Sequence, residues 1–249
     1  MCSSDLAGNW GMVTWPEAFG GRGCDLIQWL IFEEEYYRAG APGRVNQNGI
    51  FLLGHTLMEY GSEEQKARFL PAMASGEEIW AQGWSEPNAG SDMAAIQCRA
   101  DRDGDAYVIN GQKIWSTRAV YADWVFGLFR TDPDSERHHG LSKILVPLDA
   151  EGITVRPIEQ LNGLPGFAEI FFDDVRVPKR FLIGDENKGF TMQMMQFQEE
   201  RMYAAASSLK GMERIISDTI EWTKDRHTFG QPVINNQTVH FKLAELQSE

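Results

Sequence analysis

The hydrophobic period changes twice along this 249-residue chain, from about 3.6 to 2 and back, and few folds accommodate that order. Over 25–78, Leu26, Leu30, Phe32 and Tyr36 recur near the helical period, and Ser62-Glu-Glu-Gln65 has the form of a capping box. Gly54, Gly61 and Gly76 punctuate the segment ends, and Trp15-Pro-Glu-Ala-Phe-Gly-Gly21 reads as a turn leading into the first helix. Over 79–178 the period is two. Tyr107-Val-Ile109, Asn110-Gly111 and Gln112-Lys-Ile-Trp115 together have the pattern of a hairpin closed by a type I′ turn. Residues 125–129, 142–146, 153–156 and 169–177 read as further strands. Over 188–249 helix returns, with Phe190, Met194, Phe197, Arg201, Ala205, Leu209, Met212, Ile216 and Ile220 on one face. That helix ends near 226–230, Pro232 follows, and a second helix begins around Asn236 and is still running at Glu249. The expected fold is α+β. A helical N-terminal domain covers 1–78, a barrel-like middle β domain 79–184, and the start of a C-terminal helical bundle 185–249.

Composition narrows the function classes. The formal charge of −13 opposes a nucleic-acid partner, because phosphate backbones are held by clustered Lys and Arg. One Arg and a few backbone N–H groups still suffice for a phosphate-bearing cofactor. No stretch is apolar for long enough to span a bilayer, and the first residues lack a secretory pattern. Cys2, Cys24 and Cys98 stand far apart with no C-x-x-C, which supports neither a disulfide framework nor a zinc site. The expected compartment is reducing and cytoplasmic.

Four segments carry chemistry. Trp84-Ser-Glu-Pro-Asn-Ala-Gly-Ser-Asp92 resembles the flavin-contact motif of the acyl-CoA dehydrogenases, and Asn110-Gly-Gln-Lys-Ile-Trp-Ser-Thr117 resembles their second flavin segment. Asp173-Asp-Val-Arg-Val-Pro178 resembles the end of their β domain. Asp225-Arg-His-Thr-Phe-Gly230 with Asn236-Gln237 resembles the segment that reaches a neighbouring subunit's FAD. The segments occur in the family's order, and the resemblance runs from about Trp15 to Glu249. It implies FAD as cofactor, with Ser85 on the pyrimidine side, Thr117 near N5, Trp115 against the ring system and Ser116 beside it. Gln82, Gly83 and Trp84 would form the strand behind. Gly90 would permit close approach, and Ser91 would sit where cofactor meets the acyl-CoA phosphates. Arg226 would meet the pyrophosphate of a partner's FAD, helped by Phe229 and Gln237, which implies a dimer or tetramer.

Taken singly, these residues have blander readings. Ser85, Ser91 and Thr117 suit turns, Trp115 suits a core, and Arg226 suits a helix C-terminus. The combination favours the flavin reading. The family's reaction removes an α-proton and a β-hydrogen from an acyl-CoA, giving the trans-2-enoyl-CoA, and passes electrons to an electron-transferring flavoprotein in fatty acid and lipid metabolism. It needs a carboxylate shielded from water. Many members carry this Glu in a later helical segment, and others carry it on the long helix directly before an Arg. In Glu199-Glu200-Arg201, Glu200 matches the second arrangement, with Arg201 on the CoA side and Phe197 bordering the acyl chain. A polar patch on a buried helix, or a base in the later segment, are the other readings. Against the family's length, the opening helices and most of the C-terminal bundle are expected to be lacking, so the piece alone is expected to be inactive. Trp84 is bulkier than many counterparts and Asn88 replaces a frequent Gly. Gln82-Gly-Trp-Ser-Glu-Pro, with Phe167-Ala-Glu-Ile-Phe-Phe-Asp-Asp, resembles the bacterial branch acting on bulky or branched acyl-CoAs. An oxygen-using acyl-CoA oxidase and a non-catalytic subunit share the fold, which cannot separate them.

Overall fold

The computed structural model describes residues 8–249. The helices are α1 (Leu26–Arg38), α2 (Gly54–Tyr60, continuing a π-helical stretch Asn48–Leu53), α3 (Glu63–Ser75), α4 (Gly189–Asp225) and α5 (Gln237–Ser248). The strands are β1 (Trp80–Gly83), β2 (Arg99–Asp103), β3 (Ala106–Thr117), β4 (Trp124–Arg130), β5 (Leu141–Pro147), β6 (Ile153–Glu159), β7 (Pro165–Pro178), β8 (Leu182–Ile183), β9 (His227–Thr228) and β10 (Gln231–Pro232). Helical N-terminal and C-terminal parts flank a central, mostly antiparallel sheet, which is the α+β class expected. By contact the chain divides into two units. One holds residues up to Cys24 with Arg44–Glu200, the other Asp25–Gly43 with Arg201–Glu249.

In the first unit, eight strands form one sheet in the order β6-β7-β3-β2-β4-β5-β8, and β1 adds to β4 in parallel. Its core is made by alternate inward residues, among them Tyr107, Ile109, Val125, Phe129, Ile144 and Ile170. Where α3 meets the sheet, Trp80 stacks on Trp124 at 5.5 Å between ring centroids and Phe69 meets both edge-on. The capping box of α3 is present, with the Gln65 N–H on Ser62 Oγ and the Ser62 N–H on Gln65 Oε1.

Two local expectations are corrected. Asn110-Gly111 closes no hairpin. β3 runs straight through it and pairs with β7, and the pair only shifts register between Ile109 and Gly111. The unpaired residue of a bulge satisfies the same turn-prone dipeptide that a hairpin would use. Gly54 ends no helix either: its backbone is helical, and α2 continues the preceding π-helical stretch. Gly54 is there for close approach, because an added Cβ would lie 2.4 Å from the Trp15 ring. Trp15 is fully buried and its indole N–H donates to the Ile50 carbonyl at 2.9 Å.

In the second unit, Trp29 of α1 stacks on Tyr203 of α4, and the Tyr37 and Tyr203 hydroxyls lie 2.6 Å apart. The apolar stripe assigned to α4 is also corrected. The buried positions at its start are Met192, Gln193 and Gln196, not Phe190, Met194 and Phe197, and Arg201 is exposed. Polar glutamines face inward there because a buried cation meets them, which apolar periodicity cannot register. Farther along α4, Leu209, Met212 and Ile215 stand exposed.

Gly54→Ala forces a methyl group into the packed indole of Trp15 and should cost about 1–3 kcal/mol. Urea unfolding of the variant against the parent measures it, and an unchanged midpoint would refute the close-packing role.

Candidate active site

The centre of the candidate site is a second irregularity in β3. Its pairing with β7 shifts between Lys113 and Ser116, so Ile114 and Trp115 leave the ladder. The Ile114 N–H instead donates to the Ser85 carbonyl at 2.9 Å, joining the segment after β1 to β3. Trp115 takes a left-handed backbone with φ 58°, and Arg118 does so with φ 68°. For a bulky side chain that geometry is costly and persists only where the surroundings impose it. It turns the indole outward: Trp115 is 55% exposed, edge-on to Phe167 at 6.1 Å. Ser116 returns to the ladder, and its buried Oγ has no hydrogen-bond partner in the protein. Beyond it, Arg118 donates to Asn48 Oδ1 at 3.2 Å and to the Arg44 carbonyl at 3.1 Å, fixing the end of β3.

A buried ion pair holds the loop in place. Lys113 Nζ lies 2.8 Å from Glu86 Oε1 and also donates to the carbonyls of Leu128 at 2.7 Å and Trp84 at 3.3 Å. Glu86 accepts in turn from the backbone N–H groups of Gln97 at 2.7 Å and Cys98 at 2.9 Å. A tight turn from Glu86 to Ala89 carries Pro87 and Asn88 outward. Trp84 is buried edge-on to Phe126, and its indole N–H reaches Gln82 Oε1 at 3.3 Å. Gly90 and Ser91 are exposed, and a Cβ on Gly90 would meet no protein atom within 4 Å. The Cys98 thiol is pushed up to about 12, chiefly by burial, so it offers no nucleophile near neutrality.

Glu200 lies on the first half of α4 and is half-buried. Beside it, Glu199 Oε2 bonds His55 Nδ1 at 2.7 Å, and His55 Nε2 meets Thr14 Oγ1 at 2.8 Å. Lys143, wholly buried on β5, reaches α4 through Gln196 Oε1 at 2.5 Å and Gln193 Oε1 at 3.3 Å, and α2 through Thr56 Oγ1 at 3.2 Å. Burial pushes its amine down to about 7, and the negative charge of Glu200 works in the opposite direction.

The structure thus brings Ser85, Trp115, Ser116 and Thr117 to one region of the sheet, with Gln82 and Trp84 on the adjoining strand and loop. In the other unit Arg226 is exposed at the end of α4, and its carbonyl accepts from the Val233 N–H at 2.8 Å. Phe229 stands fully exposed with φ 52° at the turn between β9 and β10, and Gln237 is the exposed first residue of α5. Phe197 is half-buried on α4. Sequence reasoning missed the roles of Glu86, Lys113, His55 and Lys143. A lysine inside Leu141-Ser-Lys-Ile-Leu-Val146, a strand run with no other charge, was the signal for the last.

The family models for the acyl-CoA dehydrogenase N-terminal, middle and C-terminal domains match residues 6–77, 81–175 and 187–249. Acyl-CoA dehydrogenase IpdE1 of Mycobacterium tuberculosis is 41% identical over 223 residues, covering 90% of this chain and 58% of that protein. The Tcur3481-Tcur3483 steroid ACAD superposes with a TM-score of 0.86 at 34% identity, over 98% of this chain and 62% of that one. An acyl-CoA dehydrogenase from Geobacillus kaustophilus gives 0.86 and 34%, over 98% and 65%. The chain belongs to the acyl-CoA dehydrogenase family, a family of FAD-dependent oxidoreductases. It spans less than two thirds of the length of each of these relatives.

Two stability measurements test this geometry. Lys113→Met leaves the Glu86 carboxylate buried without its cation and should cost about 3–5 kcal/mol. Adding Glu86→Gln should return part of that loss in denaturant unfolding. Lys143 titrates near 7 when folded against an ordinary value of 10.5, so between these the unfolded chain binds more protons and stability rises with pH. Cys98, raised from 9.0 to about 12, opposes this as the pH nears 9 and beyond, by less than Lys143 contributes up to that point. The unfolding midpoint should therefore climb from pH 7 to pH 9, and Lys143→Met should flatten the climb. An equal slope in both proteins would contradict it.

Proposed function

We propose that the protein carrying this chain is an FAD-dependent acyl-CoA dehydrogenase that converts an acyl-CoA thioester to its trans-2-enoyl-CoA and passes the electrons to an electron-transferring flavoprotein. The observation that carries this reading is the β3 irregularity. An exposed indole in a costly backbone conformation and a buried serine hydroxyl without a protein partner stand side by side, next to the Ser85 loop. A conjugated, hydrogen-bonding ring system fits both features: Trp115 offers it an aromatic face, and Ser116, Thr117 and Ser85 offer it polar groups. Bound there, FAD supplies the acceptor for the β-hydrogen and its electron pair.

The remaining roles belong to side chains of this chain. Glu200 accepts the α-proton at its carboxylate, which its half-buried position keeps partly from water. Phe197, one turn earlier, borders the acyl chain, Arg201 faces the CoA side, and Ser91 on its exposed loop meets the phosphates. Arg226, Phe229 and Gln237 serve the cofactor of a second subunit, which makes the working form at least a dimer. Their exposure supports this, since a guanidinium and an aromatic ring held in solvent suit an ion and a ring supplied from outside. The acyl group is bulky or branched, and the likeness to a protein described as a steroid ACAD supports that class. No helix of the described residues is long and apolar enough to cross a membrane, which is compatible with work in the cytoplasm on lipid and fatty acid substrates.

The test uses the full-length protein. Its visible spectrum should be that of a flavin, and the released cofactor should be FAD by chromatography; a colourless preparation would reject the reading. Anaerobic addition of acyl-CoA should bleach the flavin, and Glu200→Gln should slow bleaching by about 10²–10⁴-fold. Unchanged bleaching would remove Glu200 from the role of base. Peroxide formation in place of electron transfer to the flavoprotein would make the enzyme an oxidase.

A further inference from the structure

Lys143 has no part in the roles above, yet its setting is unusual. It sits in the middle of β5, and α4 begins against the same stretch, since a Cβ on Gly189 would lie 2.5 Å from the Lys143 backbone nitrogen. Its Nζ lies 5.2 Å from the centroid of the Trp84 ring and 5.5 Å from that of Phe126. An ammonium has three N–H groups, and this one finds three oxygens, on Gln196, Thr56 and Gln193. All three acceptors are neutral. A cation buried among neutral groups is costly unless an opposite charge acts on it. Glu200 supplies that charge, one turn beyond Gln196 on the same face of α4.

Other charged groups have contacts of their own, and Arg44, also buried, lies over the Phe51 ring at 4.9 Å. His55 of α2 is held between Glu199 and Thr14. Glu86 and Lys113 compensate one another. Arg201 follows Glu200 in the chain and is exposed.

We infer that Lys143 is a positioning residue for Glu200: through Gln196 it fixes the turn of α4 that carries the carboxylate, and its positive charge holds that carboxylate ionised where water is scarce. The inference rests on the reading of Glu200 as the base. On the acid side of neutrality, where a carboxylate base is in danger of being protonated, the burial-lowered amine still carries its proton. The charge is therefore present in the pH range where it is needed.

The test compares the parent, Lys143→Met, Glu200→Gln and the double variant in the full-length protein. Bleaching rates with acyl-CoA, followed from pH 5.5 to 9, should show the acid limb of Lys143→Met moved upward by about one pH unit. A role confined to packing would lower the rate by one factor at every pH, and that outcome would overturn the inference. A second readout needs no activity. In a double-mutant cycle of unfolding at pH 6, the Lys143–Glu200 coupling should be about tenfold in the unfolding constant and should shrink at pH 9. Absence of coupling would also overturn the inference. If Glu200→Gln still bleaches normally, the base reading itself fails, and the cycle then reports separately on the charge coupling between the two residues. Should Lys143→Met not fold, Lys143→Gln keeps a hydrogen bond to Gln196 without the charge and takes its place in both measurements.

Discussion

The Glu86–Lys113 pair is the contact on which the candidate site depends. Removing two charges from water is costly, and their attraction repays it only when the remaining valences are filled. Here they are filled: the ammonium reaches the carbonyls of Leu128 and Trp84, and the carboxylate takes two backbone N–H groups from Gln97 and Cys98. Those partners come from three stretches of chain, at Trp84, at Gln97 and Cys98, and at Leu128. One pair therefore fixes both ends of the 84–98 loop against β3 and β4. Lys113 is also the last residue of β3 before the second irregularity. The pair sets the register from which Trp115 emerges, and it places Ser85 where its carbonyl can take the Ile114 N–H that the bulge releases. An apolar pair of the same volume would fill the space but would specify neither the loop nor the bulge.

Two buried lysines on one sheet behave differently because their neighbours differ. Lys113 has a carboxylate in contact. Lys143 has amide and hydroxyl oxygens in contact, and Glu200 acts on it as a further charge. The first arrangement is locked and suits a structural joint. The second leaves the proton on Lys143 loosely held near neutrality, and it links that proton to the carboxylate proposed as the base. A protein that needed only a rigid connection between β5 and α4 would do better with Leu or Met at this position, so the lysine costs stability for another reason.

Much of the fold was legible in the sequence, because period and caps are local signals. The helix–strand–helix order, four of the strands, the capping box at Ser62 and the long helix α4 all follow from spacing alone. What failed did so where a local pattern has two tertiary solutions. Asn110-Gly111 suits a turn and a bulge equally, and pairing with β7, remote in sequence, decided for the bulge. Gly54 carries no sign that an indole from Trp15 packs on it. The apolar stripe of α4 was misplaced because Gln193 and Gln196 face inward to meet Lys143, a partner fifty residues away. The candidate cofactor residues were found through motif order, whereas the residues that hold them, Glu86, Lys113 and Arg118, became visible only as contacts.

The helix α4 is built in two parts, and this bears on how a base on it would work. Its first turns lie close against β5, bury glutamines on Lys143, and fasten Glu199 to His55. Glu200 is the last residue of the unit that contains the sheet, and Arg201 begins the next. The position proposed for the base is therefore set within that unit, by the contacts of Gln193 and Gln196 with Lys143 of β5 and by the bond from Glu199 to His55 of α2. Farther along, α4 carries Leu209, Met212 and Ile215 in the open. A carboxylate that must meet an acyl α-carbon within a few tenths of an ångström gains from standing on the tied part of the helix, because misplacement by about 1 Å costs on the order of 10²-fold in rate. The same reasoning explains why polar residues occupy the buried face there. Apolar packing would hold the helix against the sheet but leave it free to slide, whereas hydrogen bonds to one buried amine fix both its rotation and its height.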